Sequence, residues 1–208
     1  LAVIEELLCS YDTDGIELNI MDYAPYVARS EIAAHTDTFT EFVKEVRSLC
    51  DRAAAEQNRK KRLLVRAGAS VEGCRSLGID LERMIREEIV DTVLALSPHK
   101  GVFIEQNPAG IAELVELAKD TKVKIINGVS TTVRHDSFYY APREMMVAQA
   151  VNGYDVGAQG VFFFTYYPSG YPYIDADYES LRYMSHPELL AHKDKHFAVR
   201  SGPNGPED

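Results

Sequence analysis

The chain has 208 residues, 46% hydrophobic and 26% charged, with a formal net charge of −10. That balance offers no basic footprint for phosphates, which excludes a duplex nucleic-acid binder. No apolar run reaches the roughly 20 residues needed to span a membrane.

The text opens at Leu1-Ala2-Val3-Ile4-Glu5-Glu6-Leu7-Leu8, without Met and already inside a helical pattern. It reads as the interior of a longer chain, compatible with a secreted or periplasmic protein. The stretch Asp14-Gly15-Ile16-Glu17-Leu18-Asn19-Ile20-Met21-Asp22 follows. Apolar residues at 16, 18 and 20 alternate with Glu17 and Asn19, the period of a strand with one greasy and one polar face. The greasy face should pack on helices. The polar face then lines an interior, because carboxylates buried without partners are costly.

A helix is expected from about Asp37, with Phe39, Phe42, Val43, Val46, Leu49, Cys50 and Ala53 on one face. Arg59-Lys60-Lys61-Arg62 reads as a solvated loop. It leads into a second strand over 62–67, in which Arg66 stands opposite to Leu63 and Val65 and points inward with Glu17. Leu81, Met84 and Ile85 mark the next helix, and residues 90–96 the third strand. Pro108 opens a helix carrying Ile111, Leu114, Val115 and Ala118. The fourth strand spans 123–127, with Lys124 facing the helices and Asn127 at its end. Pro142 opens a helix towards Gly157, and residues 160–166 form the fifth strand. Residues 199–208 make a polar, flexible tail, leaving 1–198 as one unit.

Five strand–helix units imply right-handed crossovers and a parallel sheet. A doubly wound sheet would want a Gly-rich phosphate turn after an early strand, and Gly68, Gly73 and Gly78 do not make one. The sequence therefore reads as the carboxy-terminal five-eighths of a (β/α)8 TIM barrel, carrying strands four to eight. Strand number, tilt and stagger are linked in a barrel. Five strands alone leave the edges at 15–21 and 160–166 open, so the isolated chain is expected to be marginally stable and to aggregate.

The run D-G-I-E-L-N-I-M resembles the D-G-x-D-x-D-x-E strand of chitinase-like barrels of glycoside hydrolase family 18. The chain as a whole resembles more closely the glycosyl-hydrolase-like family 10 barrels. In those, a strand of the form D-G-I-E-L-D-F precedes a helix with the E-x-R flavour of Glu45-Val46-Arg47. Residues 156–164 resemble their final G-A-D-G-V-Y-x-F strand, and 187–195 their usual ending. The resemblance covers most of residues 1–197 and implies a glycosidase-like barrel whose partner is a carbohydrate or polysaccharide. Against the chitinase pattern the three inward acids become Glu17, Asn19 and Met21. The last is that family's proton-donor position, and Met carries no proton to donate.

Glycosidases usually flank the bond with two carboxyl groups, roughly 5–5.5 Å or 6.5–9.5 Å apart. In a barrel these sit at strand carboxy-terminal ends or in the loops after them. Glu17, Asp22 and Glu105 are the carboxylate candidates. Each has a plainer reading: Glu17 as a structural partner of Arg66, Asp22 as a loop residue, Glu105 as a first-turn helix charge beside Pro108. Asn19, Arg66, Asn127, Thr165, Tyr166 and Tyr167 are the candidates for substrate contact, since amides and rings at a barrel mouth suit sugars. Tyr171 and Tyr173 extend the same aromatic loop, and all these rings suit packing at the rim equally well.

His99 and His135 fall in loops, and Cys9, Cys50 and Cys74 lack metal-ligand spacing, so neither metal nor cofactor is expected. Cys50 reads as a core residue. Two functions compete: hydrolysis of glycosidic bonds by paired carboxylates, or a carbohydrate-binding or structural barrel that has lost catalysis. An aldolase-type barrel would want a strand-end lysine, which Lys124 does not supply.

Overall fold

The computed structural model describes residues 1–21, 24–96, 107–134, 139–164 and 175–197. Helix α1 (Ala2–Ser10) leads into strand β1 (Gly15–Asn19), followed by α2 (Ile32–Gln57) and β2 (Arg62–Gly68). Two short helices, α3 (Val71–Arg75) and α4 (Leu81–Arg86), precede β3 (Thr92–Leu96). Then come α5 (Pro108–Ala118), β4 (Lys124–Ser130) and a small hairpin of β5 (Thr132–Arg134) and β6 (Tyr139–Tyr140). Helix α6 (Arg143–Asp155), β7 (Val161–Phe164), α7 (Asp175–Met184) and α8 (Pro187–Leu190) complete the order.

The main sheet is parallel throughout and its strands lie in chain order, β1-β2-β3-β4-β7. A doubly wound sheet reverses its strand order at a switch point; this one winds in a single direction, as a barrel does. The sheet also curls. The guanidinium carbon of Arg66 on β2 lies 5.7 Å from the ring centroid of Phe162 on β7, although β3 and β4 stand between them. Three strand spacings are about 14 Å along a flat sheet, so the two side chains meet across a concave face. The fold is a half-barrel of five βα units.

Alternation sets the two faces. On β2, Leu63, Val65 and Ala67 are fully buried under the helices, while Arg62, Leu64 and Arg66 take the other face. Burying a side chain of Leu or Val size stabilises by about 1.5–3 kcal/mol. Helix α2 supplies the matching stripe, with Val43, Val46, Cys50 and Ala53 fully buried. It begins at Ile32, a turn and more before the expected Asp37. It ends at Asn58, whose left-handed backbone (φ 46°) lets its N–H return to the Ala54 carbonyl.

The amino-terminal end of the sheet is tied by a charged clamp. Arg47 of α2 donates to Asp91 Oδ2 (2.7 Å) and to the Lys61 carbonyl (3.0 Å), and Asp91 Oδ2 also accepts from the Leu63 N–H (2.8 Å). The Arg of the E-x-R segment is therefore structural, at the end of the barrel opposite to the mouth. Asp91→Ala leaves an amide and a guanidinium short of an acceptor and should lower stability by about 2–3 kcal/mol. Urea denaturation checks this.

Lys61 corrects the expectation of a solvated basic loop. It is only 1% exposed, and its Nζ donates to the Thr13 carbonyl, latching the entry of β1 to the start of β2. Its neighbours behave as surface residues: Arg59 pairs with Asp12 and Asp14, and Lys60 approaches Asp91.

Strands β1 and β7 are the two edges of the sheet. Exposed apolar side chains lie along α1, which packs against the β1 edge (Leu1, Val3, Leu7 and Tyr11), and at Tyr26, Leu189 and Phe197. Open parallel edges with apolar flanks recruit other chains. Residues 1–208 on their own are expected to self-associate, and Val3→Lys with Leu7→Lys should reduce it, as read by light scattering after size exclusion.

Candidate functional site

Register fixes which side chains share the concave face. Glu17 stands beside Leu64, and Leu64 beside Thr92. One row nearer the carboxy-terminal ends come Asn19, Arg66, Leu94 and Ile126. The next row holds Gly68, Leu96, Gly128 and Phe162. In the two rows nearest the carboxy-terminal ends the face is divided, with a polar wall of Asn19 and Arg66 on β1 and β2 against an apolar wall of Leu94, Leu96, Ile126 and Phe162 on β3, β4 and β7, while Thr92 and Lys124 lie in the row below.

Glu17 and Arg66 form an ion pair on this face through Oε1 and Nη2. Both side chains are partly shielded, 35% and 23% exposed, so the pair is screened less than a surface bridge. Arg66 also sits over the Phe162 ring, which joins the polar wall to the apolar one. Asn19 Oδ1 accepts from the Met21 N–H at 3.3 Å, turning the chain at the end of β1. Gly128 is required to be small. A Cβ there would lie 2.4 Å from Leu96 Cδ1 and 3.0 Å from Phe162 Cε1, so these two side chains close over the backbone.

Asn127 is a correction. It does not end its strand, which runs on to Ser130, and its side chain faces the helices rather than the concave face. It is 1% exposed, and its Nδ2 donates to the Gln149 carbonyl of α6 at 3.0 Å. A Cβ on Gly153 would meet the Asn127 amide at 2.4 Å, so the helix lies directly on it. Asn127 is a packing residue. Lys124 is corrected by the same parity: three residues before Asn127, in register with Thr92, it belongs to the concave face. Asp22, Glu105, Thr165, Tyr166 and Tyr167 lie outside the described residues, as do His99, His135, Tyr171, Tyr173 and the tail from 199.

The carboxy-terminal end of β2 is held from outside. Asn107 caps α5 by accepting from the Gly110 N–H (3.0 Å) and donates its own Nδ2 to the Ala69 carbonyl (2.9 Å). Cys74 Sγ donates to the Gly68 carbonyl (3.4 Å), and burial pushes its thiol up to about 11. It stays protonated near neutrality and serves as packing, not as a nucleophile. Cys50 is likewise fully buried with its pKa raised by burial, as expected of a core residue.

Among the described residues, clefts also lie away from the concave face. A groove of about 610 Å³ runs between Arg86 and Glu82 of α4 and Glu113 and Leu117 of α5. A smaller one of about 340 Å³ surrounds the Arg47–Asp91 clamp. Among the described residues no group of three His, Cys, Asp or Glu is placed to hold a metal ion, and no helix is long and apolar enough to cross a membrane.

No protein-family profile matches the chain, and no curated protein does. Solved structures do match. A glycoside hydrolase family 18 N-acetylglucosaminidase from Paenibacillus barengoltzii superposes with a TM-score of 0.54 at 14% identity, over 78% of this chain and 69% of that one. The chain has the fold of the glycoside-hydrolase barrels. The PgaB (BpsB) glycoside hydrolase domain from Bordetella bronchiseptica gives 0.51 at 11% identity, over 91% of this chain and 58% of that one. This chain therefore spans about two thirds of the first structure and less of the second. Identities this low carry the fold and stop there.

Proposed function

We propose that the chain is the catalytic-face part of a carbohydrate-active, hydrolase-like barrel whose ligand lies on the concave face. The observation that carries this reading is the Glu17–Arg66 pair, which stands on that face with Arg66 against the apolar Phe162 ring. A pyranose has flat C–H faces and a rim of hydroxyls, and a cleft with one wall of each kind suits both. The resemblance of the β1 segment to glycosyl-hydrolase-like family 10 and to chitinase-like barrels points the same way, as do glycoside hydrolases sharing the fold. Hydrolysis would use Glu17 with a second carboxylate from Asp22 or Glu105, while Asn19, Arg66, Thr165, Tyr166 and Tyr167 would contact the sugar.

Met21 favours a second reading, a glycan-binding barrel without turnover. It occupies the position where the chitinase pattern has its donor acid, and Glu17 is already engaged by Arg66. Glu17→Gln separates the two when product release and binding are followed across a polysaccharide panel. The first reading expects hydrolysis by the wild type and a loss of about 10² to 10⁴ in kcat in the variant. Binding without product from either protein supports the second. Hydrolysis untouched by the substitution removes Glu17 from the chemistry.

A further inference from the structure

The strands of the main sheet carry four charged residues, Glu17, Arg62, Arg66 and Lys124. Register puts all four on the concave face. Gly15 and Arg62 share its lowest row, Glu17, Leu64, Thr92 and Lys124 the next, and Arg66 stands one row higher. Three cations against one carboxylate give this face a charge of +2, in a chain whose net charge is −10.

Glu17 is taken by Arg66, so the surplus rests on Lys124 and Arg62. Both are exposed, and among the described residues neither forms an ion pair. The acids close to them in the chain are engaged elsewhere. Asp14, whose carbonyl accepts the Arg62 N–H, gives its carboxylate to Arg59. Asp91, next to Thr92, turns to the helix side and into the Arg47 clamp. Lysine is a poor strand former. Contact with water accounts for a charge at these positions but not for its sign, since acids outnumber bases 32 to 22 in the chain. Cations on the walls of a cleft concentrate their field within it and draw anions there.

We propose that the glycan of the concave face is acidic, a chain carrying uronate carboxylates, and that Lys124 binds one of them. Lys124 stands at the depth of Glu17, three strands away, so a glycan laid across the sheet to reach Glu17 passes its ammonium. A uronate has a carboxylate where a neutral hexose has its primary hydroxyl, and a charge-assisted hydrogen bond is about twice as strong as a neutral one. Arg62 lies one row below, about 6.6 Å along the strands, within the roughly 8 Å over which a charge is felt at physiological salt. It adds to the attraction without touching the sugar. The proposal rests on the carbohydrate reading above and names the class of glycan.

Its test is isothermal titration of the wild type with two hexamers of equal length. One is N-acetylglucosamine throughout; the other is hyaluronan, in which every second unit is glucuronate. At about 20 mM salt the hyaluronan hexamer should bind about ten-fold tighter, and at about 0.5 M salt most of that gap should close. Lys124→Gln should bring the two Kd values within about two-fold of each other with the neutral hexamer's Kd unchanged, whereas Lys124→Arg should keep the preference. Arg62→Gln, which should narrow the gap in part, reads the same ratio should Lys124→Gln melt early. Equal Kd values for the two hexamers in the wild type, or a preference untouched by Lys124→Gln, overturn the proposal and leave the carbohydrate reading standing. A wild type that binds neither hexamer removes the carbohydrate reading itself, and the acidic glycan with it.

Discussion

Gly110→Ala is expected to destabilise the chain by about 3 kcal/mol, the reverse of what the substitution does in an ordinary helix. Within a helix, Gly to Ala gains about 1 kcal/mol through reduced backbone entropy. Here the first turn of α5 is pressed against the end of β2. A Cβ on Gly110 would lie 1.9 Å from the Ala69 carbonyl oxygen and 2.5 Å from Asn107 Nδ2. Both are fixed atoms, one of them backbone, so helix and strand must separate, and the Asn107–Ala69 hydrogen bond goes with them. Overpacking of this kind costs about 1–3 kcal/mol and occasionally more, and losing the hydrogen bond adds about 1 kcal/mol. The urea midpoint reads the balance. A midpoint equal to the wild type would mean that α5 does not seat on β2 as described.

Arg66→Ala has the larger expected effect on ligand binding. It removes the guanidinium from the Glu17 carboxylate and from the Phe162 ring in one step. The stability loss should be modest, about 1–2 kcal/mol, because both partners keep some contact with water. Under the proposed function, binding of an oligosaccharide should weaken by about ten-fold or more, since a charged donor on the polar wall is lost and Glu17 is freed to move. Glu17→Gln should bind closer to wild type, because the amide oxygen still accepts from Arg66. Identical titration curves for wild type and Arg66→Ala would take Arg66 out of the ligand contact.

Much of this architecture is legible in the sequence. Glu17 and Asn19 alternate with Ile16 and Leu18 on β1, and Arg66 is out of phase with Leu63 and Val65 on β2, so the placement of Glu17 and Arg66 on one face follows from period, and their pairing from charge. The strictly sequential strand order followed from the βα alternation. β4 gave no such contrast. It is buried on nearly its whole length, with Ile125, Asn127, Gly128, Val129 and Ser130 all hidden. Where both faces are covered, alternation fades, and misjudging the face by one residue exchanges every side chain. Asn127 and Lys124 therefore stand on opposite faces from those the sequence predicts. Lys124, the charged residue, held the signal: a lysine at that position is more readily accommodated on an open concave face than under helices.

Other features were illegible for different reasons. Lys61 lies in a run of four basic residues that composition reads as solvent-facing, and its burial depends on a carbonyl from Thr13, far away in the chain. The β5–β6 hairpin is short and polar, and α7 carries no long apolar stripe to announce it. Gln149 sits in the middle of α6, where a glutamine ordinarily faces water. Its bond to Ser130 becomes visible once β4 and α6 are packed together.

The central claim is that a glycan occupies the concave face at the Glu17–Arg66 pair. Hydrogen exchange with and without the N-acetylglucosamine hexamer tests it most directly, because backbone protection reports where the ligand lies. The account predicts slowed exchange at residues 18–20, 66–69 and 128–131, at the carboxy-terminal ends of β1, β2 and β4. Exchange around the Arg47–Asp91 clamp and in the groove between α4 and α5 should not change. Protection confined to that groove, or none anywhere at saturating hexamer, would contradict it.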